Sequence, residues 1–210
     1  MQIPDFLINN YKNWKLSDFP QNKDFYNKIS INKQKPKAMI ISCCDSRVNP
    51  EKILQGKAGD FFVHRNIANI VPSFDKKENC NTTSAVEYAV KMLKVPHIII
   101  FGHSGCGGIE CGYQMFVNKK INKDFISINS WIAQIKNVFQ KSYLSHEKEK
   151  EISFYEKENI KNSIKNILSF PFVKNLTISN QINIHGIWFE IKTGKIHYFE
   201  EKNQHFIELV

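Results

Sequence analysis

The 210-residue chain predicts an α/β fold: a mainly parallel central β-sheet flanked by helices, with an N-terminal helical arm and a C-terminal β-hairpin. Three observations predict it. Short apolar runs that stop abruptly at turn or polar residues alternate with stretches of helical periodicity. Two of these runs open directly into strings of cysteine, histidine and glycine, the pattern of polar loops at the carboxyl ends of parallel strands. The tail, in contrast, alternates strand-like segments around a single turn.

Taken in order, residues 1–35 mix Phe6, Tyr11, Trp14, Phe19, Phe25 and Tyr26 with lysine and asparagine. They predict one or two short amphipathic helices, an arm that belongs to the same domain as residues 36–210. Pro36 precedes the apolar run Ala38 to Ser42, a buried strand. A second strand is expected at Asp60 to His64 and a helix over Ser84 to Lys94. There Ser84 and Glu87 have capping-box spacing, and Val86, Ala89, Val90 and Leu93 share one face. Pro96 stops that helix, and His97 to Phe101 form the next strand. Helical patterns follow over Phe125 to Gln140 and Lys148 to Phe170, the second with Ile160, Ile164, Ile167 and Leu168 on its apolar face. Strands at Ile182 to Ile191 and Lys195 to Phe199 flank Lys192-Thr193-Gly194, a hairpin signal.

Composition excludes several classes. Hydrophobic residues make up 42% of the chain, enough for a core and against disorder. No apolar run approaches the roughly 20 residues of a membrane span. Met1 to Tyr11 lack a basic-then-apolar leader pattern, so a cytoplasmic protein is expected. The net charge is +9, but the 29 cationic residues are 27 lysines and two arginines, scattered along the chain. Nucleic-acid binders cluster their charge and favour arginine, so no nucleic-acid or membrane partner is expected. Five cysteines, an odd number without a secretion signal, read as free thiols or metal ligands.

The two arginines, Arg47 and Arg65, flank the polar strings. Cys43, Asp45 and Arg47 alternate after the first strand, and in extended chain alternate residues share a face, which selects Cys43 over Cys44 as the site thiol. His103 and Cys106 stand three apart in a glycine-rich turn. Two thiolates and one imidazole suit Zn²⁺, and three protein ligands leave a fourth position open, the mark of a catalytic metal. At this level the competing reading stays open, since cysteine is often buried as a small hydrophobe. A phosphate loop fits poorly, because neither GxGxxG nor a Walker lysine is present.

Together these motifs resemble the beta-class carbonic anhydrases. Cys43-Cys44-Asp45-Ser46-Arg47-Val48 is similar to the family's first motif, and His103-Ser104-Gly105-Cys106-Gly107-Gly108 to its second. Gly59 to Asn69 follows the block between them. The similarity runs from Gln34 to Phe199. It implies one Zn²⁺ per subunit on Cys43, His103 and Cys106, and a dyad in which Asp45 accepts from the zinc-bound water while Arg47 holds that carboxylate. It implies reversible hydration of carbon dioxide to bicarbonate and a proton, by attack of zinc-bound hydroxide on CO2. Arg65 is read as structural. Ile40 and Phe189 stand where one subgroup places a tryptophan and a tyrosine around a non-catalytic bicarbonate pocket. The resemblance is instead to the plant-like subgroup, with Gln34, Phe62 and Tyr88 lining the substrate pocket and a backbone N–H near Gly107 orienting an oxygen. Core packing is the competing reading for Phe62 and Tyr88, and a solvated loop for Gln34. The resemblance also implies a homodimer, or a pair of dimers forming a tetramer. Hydrolysis of CS2 or COS and a silent zinc module are the rival functions.

Overall fold

The computed structural model describes residues 2–75, 80–141, 143, 145 and 147–210. The chain divides into two compact units, Met1–Lys35 and Pro36–Val210. The first unit holds α1 (Asp5–Gln21) and α2 (Lys23–Ile31), neither with a buried residue. Trp14, Phe19 and Tyr26 bring their rings together where the two helices meet. The apolar residues of α2 gather on one face as expected, whereas those of α1 are spread around the helix.

The second unit is built on one six-stranded sheet, in the order β2-β1-β3-β4-β5-β6. Its strands are β1 (Ala38–Cys43), β2 (Phe61–Asn66), β3 (His97–His103), β4 (Asn183–Phe189), β5 (Ile196–Glu200) and β6 (His205–Glu208). The first four in spatial order are parallel, and the last two pairings are antiparallel. β1 is buried along its whole length, which explains why it reads as a continuous apolar run instead of an alternation.

The helices are α3 (Pro50–Ile53), α4 (Asn81–Glu87), α5 (Gly107–Phe116), α6 (Ile126–Ala133), α7 (Lys148–Ser169) and α8 (Pro171–Ile178). The long helix α7 packs across β3 and β4. A Cβ on Gly102 would stand 2.7 Å from the Ile160 side chain, and one on Gly186 2.8 Å from it. Bare backbone at both positions forms the saddle that seats Ile160. Met39, Ile41, Ile98, Ile100, Ile160, Ile167 and Trp188 form the core on this face. Fully burying each such aliphatic side chain stabilises the fold by about 1.5–3 kcal/mol. Ile40, Val48, Phe101 and Phe189 form a smaller core on the opposite face.

Three sequence expectations are corrected. The capping box does not form: α4 starts at Asn81, so Ser84 already lies inside it and its hydroxyl donates to the Cys80 carbonyl. The helix then loosens into a π turn over Tyr88–Met92, with the Leu93 N–H reaching the Tyr88 carbonyl. The pattern over 125–140 is two pieces, α6 and a 3₁₀ turn over Lys136–Gln140. Helices α3, α5 and α8 and strand β6 have no counterpart in the sequence expectations, and β6 turns the C-terminal hairpin into a three-stranded antiparallel edge. Among the described residues no helix is long and apolar enough to cross a membrane.

Candidate metal centre

Strands β1 and β3 are neighbours, with Ser42 opposite Phe101. Their carboxyl ends therefore deliver Cys43 and His103 side by side. Cys106 arrives from the loop after β3, as the residue that caps α5. The three are buried, and their ligand atoms all lie within 4.8 Å of one another. The Cys43 and Cys106 sulfurs stand 3.9 Å apart and both thiols are free. Two sulfurs each about 2.3 Å from a tetrahedral zinc would stand about 3.8 Å apart. His103 Nδ1–H donates to the Ser104 carbonyl at 3.0 Å, which leaves Nε2 as the ligand nitrogen. That Nε2 is buried and, among the described residues, has no hydrogen-bond partner. An orphaned imidazole nitrogen facing two thiols is the donor set a zinc ion takes, so the residues fit the metal.

Asp45 and Arg47 reach the same place by a route the sequence did not suggest. The strand ends at Cys43 and the chain turns, with the Val48 N–H donating to the Asp45 carbonyl. The turn, not an extended alternation, puts both side chains beside the ligands. Arg47 Nε donates to Asp45 Oδ1 at 2.9 Å and Nη2 to Oδ2 at 2.7 Å. Nη2 also donates to the Gly105 carbonyl at 2.9 Å, tying the two loops together. Gly105 has φ +67, a left-handed conformation that glycine adopts freely. Asp45 Oδ2 stands 3.9 Å from His103 Nε2. Cys44 is exposed and takes no part. Arg65 is a brace: its guanidinium donates to the carbonyls of Cys43, Asp45 and Val48.

The electrostatics follow from these bonds. The Arg47 hydrogen bonds hold Asp45 well below the usual carboxylate range. Hydrogen bonding from the Cys106 thiol holds Cys43 low, and the same contact, with burial, pushes Cys106 up. The backbone N–H groups of Asp45 and Ala68 also favour a Cys43 thiolate, as that of Ile109 does for Cys106. Burial pushes Glu156 up, although it accepts the Cys106 N–H and the Trp188 indole N–H. Burial also keeps His64 low, and its Nε2 lies 3.0 Å from the Thr82 hydroxyl.

Of the other residues singled out in the sequence, Gly107 directly follows the ligand Cys106, whereas Phe62 and Tyr88 lie away from the cluster. Gly107 opens α5 and is exposed, and a Cβ there would meet nothing within 4 Å. Its N–H is among those at a helix start that have no partner within the helix. Phe62 pairs with Met39, four residues before Cys43, about 13 Å down the strand at 3.3 Å per residue. Tyr88 stacks on Phe62 with ring centroids 5.7 Å apart and is 45% exposed. Gln34 belongs to the first unit and is exposed.

A family model described as carbonic anhydrase matches residues 38–196, a span that holds the whole cluster. Beta carbonic anhydrase 3 of Arabidopsis thaliana is 33% identical over 90% of this chain and 74% of its own length. The chain belongs to the beta-carbonic anhydrase family. A carbonic anhydrase of Synechococcus elongatus is 25% identical over 90% of the chain and 69% of its own length. Among solved structures, the beta-carbonic anhydrase CcaA superposes with a TM-score of 0.89 at 26% identity, covering 97% of this chain and 91% of that one. A tetrameric beta-carbonic anhydrase of Sordaria macrospora gives 0.81 at 29% identity, covering 92% and 94%.

For this beta-carbonic anhydrase chain the structure adds residues that the sequence reading passed over. Ile67, 41% exposed, touches the backbone position of Gly108 and presents an apolar surface beside the glycine loop. Its carbonyl accepts the Trp131 indole N–H. Ala68, Glu156 and Asn159 sit behind the ligands. A helical stripe at 156, 159 and 163 was visible as polar residues on an otherwise apolar face, but only contacts reveal what it holds. Ile40 and Phe189 are core residues here, packed with Val48 and Phe101.

Proposed function

We propose that the chain catalyses the zinc-dependent, reversible hydration of carbon dioxide to bicarbonate and a proton. One observation carries the reading: a buried Cys43–His103–Cys106 set with a two-point-clamped carboxylate, Asp45, 3.9 Å from the ligand nitrogen. Cys43, His103 and Cys106 would hold the metal through two sulfurs and Nε2. Zinc bound there lowers the pKa of water to about 7 and so supplies hydroxide at neutral pH.

The chain's own groups do the rest. Asp45 is ionised across the working range and, being gripped by Arg47, has a fixed acceptor direction. It accepts an O–H from the nucleophile and turns its lone pair toward the substrate. The clamp also fixes the Asp45 carboxylate beside the three residues that would hold the metal, with Arg47 tied to the Gly105 carbonyl as well. The Gly107 N–H donates to a substrate oxygen. Ile67 forms one apolar wall and keeps water from crowding the carbon atom. Ile40 and Phe189, packed in a core with Val48 and Phe101, offer no tryptophan or tyrosine for a bicarbonate pocket, so activity without a bicarbonate switch is expected.

The active unit is a homodimer, or a pair of dimers. Phe62 lies too far down β2 to reach the Cys43 level of its own chain, and Tyr88, stacked on it, is partly exposed. A second copy placing them over its neighbour's metal centre gives the substrate pocket its aromatic wall. The tetrameric Sordaria macrospora relative supports this assembly. The protein works in the cytoplasm.

Stopped-flow CO2 hydration by zinc-quantified protein between about pH 6.5 and 9, spanning the pKa near 7 of water on zinc, tests the reading. Activity that rises with pH and disappears in Cys106→Ser supports it. Full zinc occupancy without hydration overturns it, and turnover of CS2 or COS in the same preparation would identify the reaction instead.

A further inference from the structure

Behind the ligands, one helix face holds the Cys106 backbone and the Ala68 carbonyl in the cluster that surrounds Cys43. Glu156 and Asn159 lie three residues apart on α7 and so point the same way. Glu156 Oε1 accepts the Cys106 N–H at 2.9 Å, while Oε2 accepts the Trp188 indole N–H at 2.9 Å. Asn159 Nδ2 donates to the Ala68 carbonyl at 2.7 Å. Ala68 has φ 63 and ψ 24, a left-handed conformation that a residue with a Cβ avoids unless its surroundings enforce it. Asn69, next to it, has φ 46 and gives its carbonyl to the Ser163 hydroxyl, one turn further along α7. Ala68 packs in the same buried cluster as Cys43, and its N–H favours the Cys43 thiolate.

We infer that Glu156 and Asn159 are positioning residues for the metal. Glu156 fixes the loop that carries Cys106, and Asn159 fixes the Ala68 peptide against Cys43, so α7 sets the separation and hydrogen bonding of the two sulfurs. The inference rests on the metal-site reading of Cys43, His103 and Cys106. A carboxylate is required at 156 because two N–H donors converge on it, one at each oxygen. An amide has a single acceptor oxygen, and its NH2 would meet the other donor. Removal of one donor therefore restores the usefulness of an amide. Groups beyond the ligands that orient them typically change metal affinity about 10- to 100-fold when lost.

The test uses full-length wild type, Glu156→Gln, Asn159→Ala, Trp188→Phe and the double variant Glu156→Gln/Trp188→Phe. Zinc affinity is read by chelator competition, the thiolate-to-cobalt charge-transfer band on Co²⁺-substituted protein, and the thermal midpoint alongside. We expect Glu156→Gln and Asn159→Ala each to weaken zinc about 10- to 100-fold and to shift the cobalt band. The double variant regains most of the lost affinity while having the lowest thermal midpoint, which a purely structural role for Glu156 does not produce. Asn159→Ala carries the test alone should Glu156→Gln fail to fold. Wild-type band and affinity in the single variants, or a double variant no better than Glu156→Gln, overturn the inference. A wild type that takes up neither cobalt nor zinc overturns the metal-site reading, and this inference with it.

Discussion

Arg47 holds Asp45 at two points, Nε on Oδ1 at 2.9 Å and Nη2 on Oδ2 at 2.7 Å, and extends the same Nη2 to the Gly105 carbonyl. Three donors in one rigid plane thus fix a carboxylate and a loop together. A lysine ammonium, a point charge on a flexible stem, offers no such fork. In a chain with 27 lysines and two arginines, both arginines brace the same turn.

Arg47→Lys should therefore lower the CO2 hydration rate about 100-fold, the cost typical of misplacing a reacting group by an ångström. Zinc content should stay at the wild-type level, because Arg47 bonds to no ligand atom. A variant with wild-type turnover would remove the clamp from the mechanism.

The same pair predicts a pH dependence of stability. Arg47 depresses the folded pKa of Asp45 below the ordinary value of about 3.9, so the folded state binds fewer protons than the unfolded one in acid. The stabilisation is complete above about pH 4 and drains away as the pH falls through the lower folded value. Urea unfolding of wild type and Arg47→Leu across that acid range should give a shallower slope for the variant. Parallel slopes would contradict the argument.

Adjacent cysteines should differ completely. Cys43→Ser should lose zinc on dialysis, whereas Cys44→Ser, changing an exposed thiol outside the cluster, should retain one zinc and full activity. Metal analysis of the two purified variants decides the point. Loss of zinc from Cys44→Ser would show the ligand assignment to be wrong.

Gly102→Ala should destabilise the protein by about 1–3 kcal/mol, the cost of overpacking a filled core. The new Cβ would fall 2.7 Å from Ile160 Cδ1. Trimming that atom with Ile160→Val in the double variant should return part of the loss. Denaturant midpoints for the three variants measure this, and a Gly102→Ala protein as stable as wild type would mean that α7 can lift from the sheet at no cost.

Much of the site was legible because its residues are local to strand ends. The apolar runs at 38–42 and 97–101 marked two buried strands, and the polar strings after them supplied Cys43, Asp45, Arg47, His103 and Cys106. Alternation points to Cys43, which the fold clusters with His103 and Cys106, but the chain turns at Asp45 instead of extending. Helix α5 escaped notice because its first residues, Gly107 and Gly108, read as turn; the close approach of Gly108 to Ile67 and Ala68 is what requires a glycine there.

What the sequence determined by itself was the α/β class, the strands that carry the ligands and the chemistry of a Cys2His set, because periodicity and side-chain type are properties of single segments. Tertiary structure alone decided that β1 and β3 lie side by side, that Cys43 and Cys106 come within 3.9 Å, and that α7 grips both loops through Glu156 and Asn159. It also placed Phe62 down the strand, away from the Cys43 level, with Tyr88 stacked on it from the turn after α4. These are relations between segments as far as 91 residues apart, from Ala68 to Asn159, and only the folded backbone brings such segments into contact.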